Sequence, residues 1–414
     1  MEKNSKNSLN IAFIVDAFPT ISETFIVNQI TGLLDMGHQV TIYASSKPQD
    51  DKIHPIVEQY QLLRRTRYYP GFPAPRILRY GKIIGKLLSH MPKHSRRVVK
   101  TTRFFWQNRK TLEPRKVFWL LDFLNCDYDI FHCHFGPNGL RALDLKCMGI
   151  PGKQITTFHG YDINQYPRQA DPKVYDSLFA KGNLFTANTE FTKQQAVNLG
   201  CPAEKIRILP MGLNLEMFKY KPRHLDKNEP VRILTVGRLV EKKGYPYALQ
   251  AIAQLNLPPD AYAYDIAGEG PLRHKMQNLT MELKINDQVN FLGSLPQDKI
   301  LDLYHQAHIF LLPSVTAKNG DMEGQGLVLQ EAQATGLPVI TTRHNGIPDG
   351  VLDGQSGFLV PERNAEVIAE KIGFLIKHPE TWPQMGWAGR NFVEENYDIN
   401  ILNRKLVDIY QSAT

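Results

Sequence analysis

The sequence predicts an α/β protein built from two doubly wound, Rossmann-like domains that face each other across a cleft. Strand-like apolar runs alternate with helical patterns through most of the 414 residues, which is typical of parallel sheets covered by helices on both faces. These runs fall into two groups, separated by a polar, charged stretch between prolines at 217–230. A chain of this length commonly forms about two to three domains.

The strands predicted for each domain follow in chain order. The first domain, residues 1–216, has strands predicted at 9–15, 39–43, 130–134 and 154–158. After the linker 217–230, the second domain, residues 231–395, has strands predicted at 231–236, 263–267, 289–292, 309–312 and 339–342. Residues 396–414 are predicted to form a helix that crosses back to the first domain. Because ligands of such sheets bind at the carboxyl ends of strands, the cleft is the expected active site.

The composition is ordinary for a soluble globular protein, with 42% hydrophobic and 22% charged residues. No apolar run approaches the roughly 18 residues that a membrane span needs, and no signal peptide is expected. The four cysteines, Cys126, Cys133, Cys147 and Cys201, show no CxxC spacing. They are predicted to be free thiols in a reducing cytoplasm.

The positive charge of the chain is concentrated in one segment. The net charge is +8, yet residues 61–120 contain sixteen Lys and Arg and one acid, Glu113, so the rest of the chain is net acidic. A local anionic partner is expected there.

Within this basic segment, Arg76, Arg79, Lys82 and Lys86 are spaced three or four residues apart. The apolar residues opposite them are Ile77, Tyr80, Ile84 and Leu87. This pattern predicts an amphipathic helix whose cationic face contacts an anionic membrane surface. A merely solvated helix is the alternative. Nucleic acid is a poorer partner, since no nucleic-acid-binding fold accompanies the charge.

The segment 323–331, Glu-Gly-Gln-Gly-Leu-Val-Leu-Gln-Glu, is the most informative about the site. The apolar strand pattern 308–314 precedes it, and a helix is predicted over 327–335. Gly324 and Gly326 let an anion approach backbone N–H groups at the helix N-terminus, where the helix dipole favours negative charge.

Two carboxylates flank this glycine-rich segment. Glu323 stands at its start, and Glu331 lies about two helical turns along the same face. Both can accept hydrogen bonds from sugar hydroxyls, so the layout suits a nucleotide sugar. Two glutamates on a surface helix are the alternative interpretation, which the strand–loop–helix context disfavours.

The loop 237–244 follows a predicted strand of the second domain. Gly237 permits a tight exit from the strand, Arg238 offers a planar fork, and Lys243 offers a point charge; both cations suit a diphosphate. A basic surface loop is the alternative. Gly268, after the next strand, is an ordinary turn glycine as readily as a nucleotide contact.

Histidines occur at strand ends in the first domain. His159 precedes a glycine at the carboxyl end of a strand, which favours a position in the cleft. His132 and His134 flank Cys133, but alternate strand residues point to opposite faces, so the three cannot share one metal ion. The acid pair Asp127 and Asp129 resembles a manganese-binding pair, but it precedes a strand, so a loop cap is the better interpretation.

Taken together, these residues resemble the family-four retaining glycosyltransferases of the GT-B fold, from about residue 9 to about residue 396. Within that family the chain resembles the exopolysaccharide, colanic-acid-type branch. The segments that carry this resemblance are 18–25, 132–136, 159–162, 320–324 and 341–348.

The resemblance implies transfer of a sugar from a nucleotide diphosphate donor with retention of the anomeric configuration. It implies that Arg238 and Lys243 neutralise the diphosphate, and that His159 lies beside the reacting sugar. Glu323 then binds donor-sugar hydroxyls, and Glu331 binds the ribose. The full predicted donor-binding set is Gly237, Arg238, Lys243, Gly268, Glu323, Gly324, Gln325, Gly326, Leu327 and Glu331.

The sequence departs from the family pattern in three places. Thr20, Ile21 and Ser22 stand where many members have paired glycines that contact the donor phosphate. Asp349 replaces the usual glutamate. Gln325 and the glycine after it replace an expected Ile-Pro pair, a change that is predicted to alter which donor sugar fits.

The expected protein is a cytoplasmic glycosyltransferase, peripheral on the inner face of the plasma membrane. Its expected substrates are a UDP-hexose donor and a lipid-linked saccharide acceptor, and it is expected to need no catalytic metal or other cofactor. A GT-B-fold sugar-nucleotide epimerase or phosphorylase is an alternative enzyme. A saccharide- or membrane-binding relic is a non-enzymatic alternative, which the intact charged residues of the site argue against.

Overall fold

The N-terminal half forms a parallel sheet with helices on both faces. The computed structural model describes residues 8–20, 23–48, 54–69, 76–110, 112–227 and 229–413. Within them the strand order is β3-β2-β1-β4-β5-β6-β7, with every pairing parallel. The strands are β1 (Asn10–Ala17), β2 (Gln39–Ser46), β3 (Thr66–Tyr68), β4 (Ile130–His134), β5 (Lys153–Phe158), β6 (Leu184–Ala187) and β7 (Ile206–Ile208).

The C-terminal half forms a second parallel sheet, in the order β10-β9-β8-β11-β12-β13. Its strands are β8 (Val231–Val236), β9 (Tyr262–Ala267), β10 (Val289–Gly293), β11 (Ile309–Leu312), β12 (Val339–Thr342) and β13 (Gly357–Val360). All nine predicted strands are confirmed. The strands β3, β6, β7 and β13 were not predicted.

Helices connect the strands and cover both sheets. In the N-terminal half they are α1 (Thr24–Asp35), α2 (Pro55–Gln59), α3 (Arg76–Gln107), α4 (Pro114–Leu121), α5 (Gly136–Cys147), α6 (Tyr161–Asn164), α7 (Tyr166–Gln169), α8 (Asp176–Lys181) and α9 (Glu190–Asn198). In the C-terminal half they are α10 (Tyr245–Ala253), α11 (Arg273–Glu282), α12 (Gln297–Gln306), α13 (Leu327–Ala334), α14 (Ala365–Lys377), α15 (Trp382–Tyr397) and α16 (Ile399–Ala413). The helix predicted over 327–335 is therefore confirmed to within one residue.

Buried apolar side chains explain why the strands form. The central strands are nearly continuous apolar runs, as expected where helices cover both faces of a parallel sheet. In β11 all four residues are buried, and the corresponding positions of β1 and β8 are mostly buried as well. Each sheet therefore has apolar clusters on its two faces.

The chain passes between the two halves twice, and the two passages are bonded to each other. The Leu213 N–H donates to the Tyr397 carbonyl at 2.8 Å, and the Ile399 N–H donates to the Leu213 carbonyl at 3.0 Å. Beyond this point α16 returns to the N-terminal sheet, where Leu402 and Tyr410 join the apolar cluster that contains β1 and α1.

The basic segment forms the long helix α3, with Pro92 inside it and a kink at His94. Its faces differ from the prediction. Leu87 packs against the N-terminal core, whereas Tyr80 and Ile84 are exposed. Lys86 forms an ion pair with Asp122, so it is not a free cation. The predicted separation of faces was wrong because the helix uses its Leu87 side to pack on the core.

The other three cations predicted for membrane contact also lie on α3. Lys82 is exposed on α3. The backbones of Arg76 and Arg79 are helical, but their side chains lie outside the described part of the structure. Among the helices described here, none is long and apolar enough to cross a membrane.

Candidate active site

The strand order places the predicted site residues at one end of the C-terminal sheet. The order reverses between β8 and β11, so the loops that leave these two strands diverge to opposite faces and open a crevice at their carboxyl ends. The loop after β8 carries Arg238 and Lys243, and the loop after β11 carries Glu323. Chain topology therefore brings together residues about eighty positions apart in sequence.

Lys243 and Glu323 form a buried ion pair in this crevice. The Lys243 Nζ lies 2.8 Å from a Glu323 carboxylate oxygen, and the two side chains are only 11% and 15% exposed. Burial alone would raise the pKa of Glu323, but the ammonium groups of Lys243 and Lys242 hold this pKa below its usual value. Glu323 is therefore an anion in the free protein.

Arg238 differs from Lys243 in its surroundings. It is exposed at the end of β8, and among the residues that the structure describes its guanidinium has no ion-pair partner. A cation in this position is free to bind an incoming anion without first breaking a contact. Behind it, a Cβ on Gly268 would lie 2.0 Å from the Gly237 carbonyl oxygen, so Gly268 permits these two loops to pack closely.

Glu331 lies on α13 and is held by a residue that the sequence did not reveal. The hydroxyl of Tyr304, at the end of α12, donates to a Glu331 carboxylate oxygen at 2.8 Å. Burial raises the pKa of Glu331, while the Tyr304 hydrogen bond and the Lys243 charge act against this rise. No sequence motif could single out Tyr304, since a buried tyrosine hydroxyl usually finds a partner but the sequence does not show which one.

The side chain of Gln325, which the sequence placed in the donor-binding set, bonds to the protein backbone. Its side chain is 1% exposed and bonds to the backbone of Met211 in both directions. The Met211 N–H donates to its amide oxygen at 2.7 Å, and its amide nitrogen donates to the Met211 carbonyl at 2.9 Å. The side chain thus joins the donor loop to the segment that leaves the N-terminal half.

The backbone of Glu323 is fixed by a third loop, which follows β12. The Glu323 N–H donates to His344 Nε2 at 3.2 Å, and His344 Nδ1 lies 2.5 Å from a Glu362 oxygen. The Asn345 amide also reaches His344 Nε2, at 2.8 Å. His344 belongs to a segment that carries the family resemblance, but its type and spacing assigned it no role.

On the N-terminal side of the cleft, His159 lies at the end of β5 as predicted. Its Nε2 is 3.0 Å from Nδ1 of His134, and Phe25 and Phe135 pack against its ring. Burial lowers the pKa of His159 to about 3, so the ring is neutral. Asp162 supports this loop by accepting the His159 N–H at 2.9 Å.

The two halves approach each other closely at Gly324 of the C-terminal half and His159 of the N-terminal half. A Cβ on Gly324 would lie only 2.7 Å from the His159 carbonyl oxygen, so a glycine is required for this approach. Nearby, the backbone N–H of Glu190, the first residue of α9, donates to Asp349 at 2.7 Å. The substituted aspartate therefore caps a helix of the opposite half.

The first loop of the N-terminal half is described only in part. The Thr20 hydroxyl donates to Glu23 at 2.8 Å, at the start of α1. Ile21 and Ser22, predicted to stand in for phosphate-binding glycines, lie outside the described residues.

The metal-like patterns of the N-terminal half have structural roles. Asp129 accepts the Asn10 N–H at 2.7 Å, which confirms its interpretation as a loop cap, and Asp127 forms an ion pair with Arg97 of α3. Cys133 packs in the cluster on the face away from its histidine neighbours. Among the described residues there is no group of three or more His, Cys, Asp or Glu arranged to bind a metal ion.

The two facing sheets and the cation–carboxylate crevice define a glycosyltransferase of the GT-B fold. Residues 22–217 match the family model Glycosyltransferase Family 4, and residues 217–392 match Glycosyl transferases group 1. The chain belongs to this glycosyltransferase family, as the predicted resemblance implied.

Full-length relatives and solved structures agree with this assignment. The chain is 32% identical to WcaL of Salmonella typhimurium, by name a colanic acid biosynthesis glycosyltransferase, over 98% of this chain and 100% of WcaL. It is 33% identical to the amylovoran biosynthesis glycosyltransferase AmsK of Erwinia amylovora, over 97% and 99% of the two chains. Anabaena HepE, solved with UDP and glucose, shares the fold with a TM-score of 0.74 at 16% identity, over 98% of this chain and 100% of HepE.

Proposed function

We propose that this protein transfers a hexose from a UDP-hexose to a lipid-linked saccharide during exopolysaccharide synthesis, with retention of the anomeric configuration. The observation that carries the proposal is the buried pair of Lys243 and Glu323 at the switch point of the C-terminal sheet, with Arg238 on the same loop as Lys243 and without an ion-pair partner among the described residues. The names of WcaL and AmsK support an exopolysaccharide product, and the UDP and glucose bound by HepE support the donor class.

Each charged residue of the crevice has a distinct role in this proposal. Arg238 and Lys243 bind the diphosphate and stabilise the negative charge that develops on it in the transition state. Glu323 accepts hydrogen bonds from hydroxyls of the donor sugar. The Glu331 oxygen that Tyr304 does not contact accepts from the ribose, and His159 bounds the sugar from the opposite half.

Retention follows when the acceptor attacks from the face that the diphosphate leaves. The bond from the anomeric carbon to the phosphate oxygen breaks, and the acceptor oxygen forms the new bond to that carbon. The acceptor proton passes to an oxygen of the leaving diphosphate. No protein base is required in this step, so the role of the protein is to position both substrates and to stabilise the diphosphate.

The donor class is tested with the purified protein and a panel of UDP-, GDP- and TDP-sugars in a thermal-shift assay. A UDP-hexose is expected to raise the Tm most. Hydrolysis of that donor without acceptor should release free hexose in the configuration of the donor anomer, read by NMR before it mutarotates. Isomerised sugar nucleotide without free hexose would instead identify an epimerase, and inversion at the anomeric carbon would exclude the retaining reaction.

The two glutamates should give different kinetic signatures. Glu331→Ala is expected mainly to raise the donor KM, because a ribose contact is equally strong in the ground and transition states. Glu323→Ala is expected to lower kcat, because the reacting sugar is then misplaced. The opposite pair of signatures would contradict the assigned roles.

The proposed acceptor places the protein at the cytoplasmic face of a membrane, and α3 supplies the surface for docking. Exposed apolar residues recur on one face of this helix, at Tyr80, Ile84, Leu88 and Met91. The segment 61–120 supplies the excess of cations that attracts an anionic leaflet.

This docking is tested by sedimentation with anionic liposomes. Replacing Ile84 and Leu88 with serine should reduce binding, whereas Leu78→Ser is a control because Leu78 is equally exposed on another face of α3. Replacing exposed Lys82 and Lys93 with glutamine should reduce binding most at low salt, since salt screens this attraction. If none of these changes alters liposome binding, α3 is a solvated surface and does not dock the protein to the membrane.

A further inference from the structure

Resting on the proposed function, we propose that His344 and Glu362 are positioning residues that set the direction of the Glu323 carboxylate toward the donor sugar. His344 follows β12 and Glu362 follows β13, and these adjacent strands end at the same edge of the sheet. Neither side chain is part of the proposed contacts to donor or acceptor. Both act through the backbone of the loop that joins β11 to α13.

The hydrogen bonds around His344 determine which ring nitrogen carries the proton. The backbone N–H of Glu323 can only donate, so His344 Nε2, 3.2 Å away, must accept. The amide nitrogen of Asn345, 2.8 Å from the same atom, also donates to it. A neutral ring then has its proton on Nδ1, which donates to Glu362 across 2.5 Å. Glu362 thus selects the tautomer that can anchor Glu323.

Glu362 also anchors the beginning of the same loop. Its second carboxylate oxygen accepts the backbone N–H of Thr316 at 3.1 Å, and the next residue, Arg363, donates to the Thr316 carbonyl at 2.5 Å. One carboxylate therefore fixes the loop at Thr316 directly and at Glu323 through His344. The Thr316 N–H and the His344 Nδ1–H both donate to Glu362, so an amide in its place would present an N–H to one of them.

The anchor matters because the two bonds of Glu323 respond differently to the donor. The ion pair of its carboxylate can be disturbed, whereas its backbone bond to His344 cannot. Its carboxylate is paired with Lys243, which must also bind the incoming diphosphate in the proposed reaction. When the diphosphate competes for that ammonium group, the backbone bond to His344 remains to keep Glu323 in place. His344 is fully buried, so its anchoring bond is shielded from competing water.

Two amide substitutions separate the two ends of the imidazole. His344→Gln places an amide near Nε2 and can still accept from the Glu323 N–H. His344→Asn places its amide near Nδ1 and can still donate to Glu362, but it cannot reach Glu323. The anchor predicts that His344→Asn lowers kcat with UDP-glucose about tenfold or more, while His344→Gln stays within about threefold of wild type. The affinity for UDP, which lacks the sugar, should be unchanged in both.

Hydrogen–deuterium exchange supplies a readout that does not depend on activity. Exchange of the amides from Glu323 to Gly326 should rise about tenfold in His344→Asn and Glu362→Gln, and little in His344→Gln. Unchanged exchange in His344→Asn would overturn the anchor, and so would equal loss of kcat and of UDP affinity in both His344 variants. If exchange rises as expected while the wild type binds no nucleotide sugar, the anchor stands and the proposed function fails.

Discussion

The hydroxyl of Tyr304 should contribute to UDP affinity, because it holds the Glu331 carboxylate. Tyr304→Phe removes only the hydroxyl that donates to Glu331 at 2.8 Å, and the fully buried ring keeps its packing against Phe218 and Phe310. A hydrogen bond to a charged group contributes roughly 1.5–3 kcal/mol. Since about 1.4 kcal/mol is a factor of ten, full transfer of this loss to nucleotide binding would weaken UDP affinity by roughly 10- to 150-fold.

We expect a loss near the lower limit, about tenfold, because Glu331 can recruit water in place of the hydroxyl. The substitution also removes a contact that lowers the pKa of Glu331, so this pKa should rise further. Glu331 binds hydroxyls best as a carboxylate, which exists above its pKa. UDP affinity in the variant should therefore fall more steeply than in wild type as the pH is lowered.

The assay is titration calorimetry with UDP at several pH values. Tyr264→Phe is the matched control, because Tyr264 is equally buried in the same half and its hydroxyl bonds to Thr235 at 2.8 Å, away from Glu331. UDP affinity of Tyr304→Phe within twofold of wild type, or an equal loss in Tyr264→Phe, would show that the hydroxyl does not prepare Glu331 for binding.

Four shorter predictions concern the rest of the cleft. Arg238→Ala should lower kcat by about a hundredfold, because a cation that stabilises the leaving diphosphate is lost. The Tm should not fall, since this side chain is exposed and has no ion-pair partner within the described residues. Near wild-type turnover at saturating donor would contradict the assigned role. Gln325→Leu leaves the Met211 N–H and C=O without partners and should lower the free energy of unfolding by roughly 2–4 kcal/mol, measured with urea. Asp349→Ala removes the hydrogen bond from the Glu190 N–H, which contributes about 1–2 kcal/mol between the halves. The radius of gyration in solution scattering should therefore increase. An unchanged radius would show that this bond does not hold the halves together. We also expect activity to survive exhaustive EDTA treatment, and loss that Mn²⁺ restores would oppose it.

Much of the fold was predictable because parallel strands that are buried on both faces have continuous apolar runs in their sequence. All nine predicted strands are present, and each is four or more residues long. Two of the strands that escaped prediction, β3 and β7, have only three residues each and are too short to produce a recognisable pattern. They form because a neighbouring strand already offers a ladder of hydrogen bonds.

The site was predictable only where a residue type implies a charge. Glu323, Lys243 and Arg238 stand out in sequence because carboxylates and cations beside glycines at strand ends suit a phosphorylated ligand. Tyr304 and His344 contribute through contacts with Glu331 and Glu323, and contacts across long sequence separations are not encoded in local spacing. The side of α3 that packs on the core was also predicted wrongly. This helix has apolar residues on several faces, so its sequence alone does not show which face contacts the core.

The paired passages at Leu213 and at 397–399 constrain how the two halves can move. A single tether would allow one half to swing, twist and slide relative to the other. Two bonded segments side by side favour bending about one line over twisting or sliding, so we expect the cleft to open and close mainly in one direction. Because α16 returns to the N-terminal core, we expect the two fragments from a protease cut between 221 and 229 to stay associated.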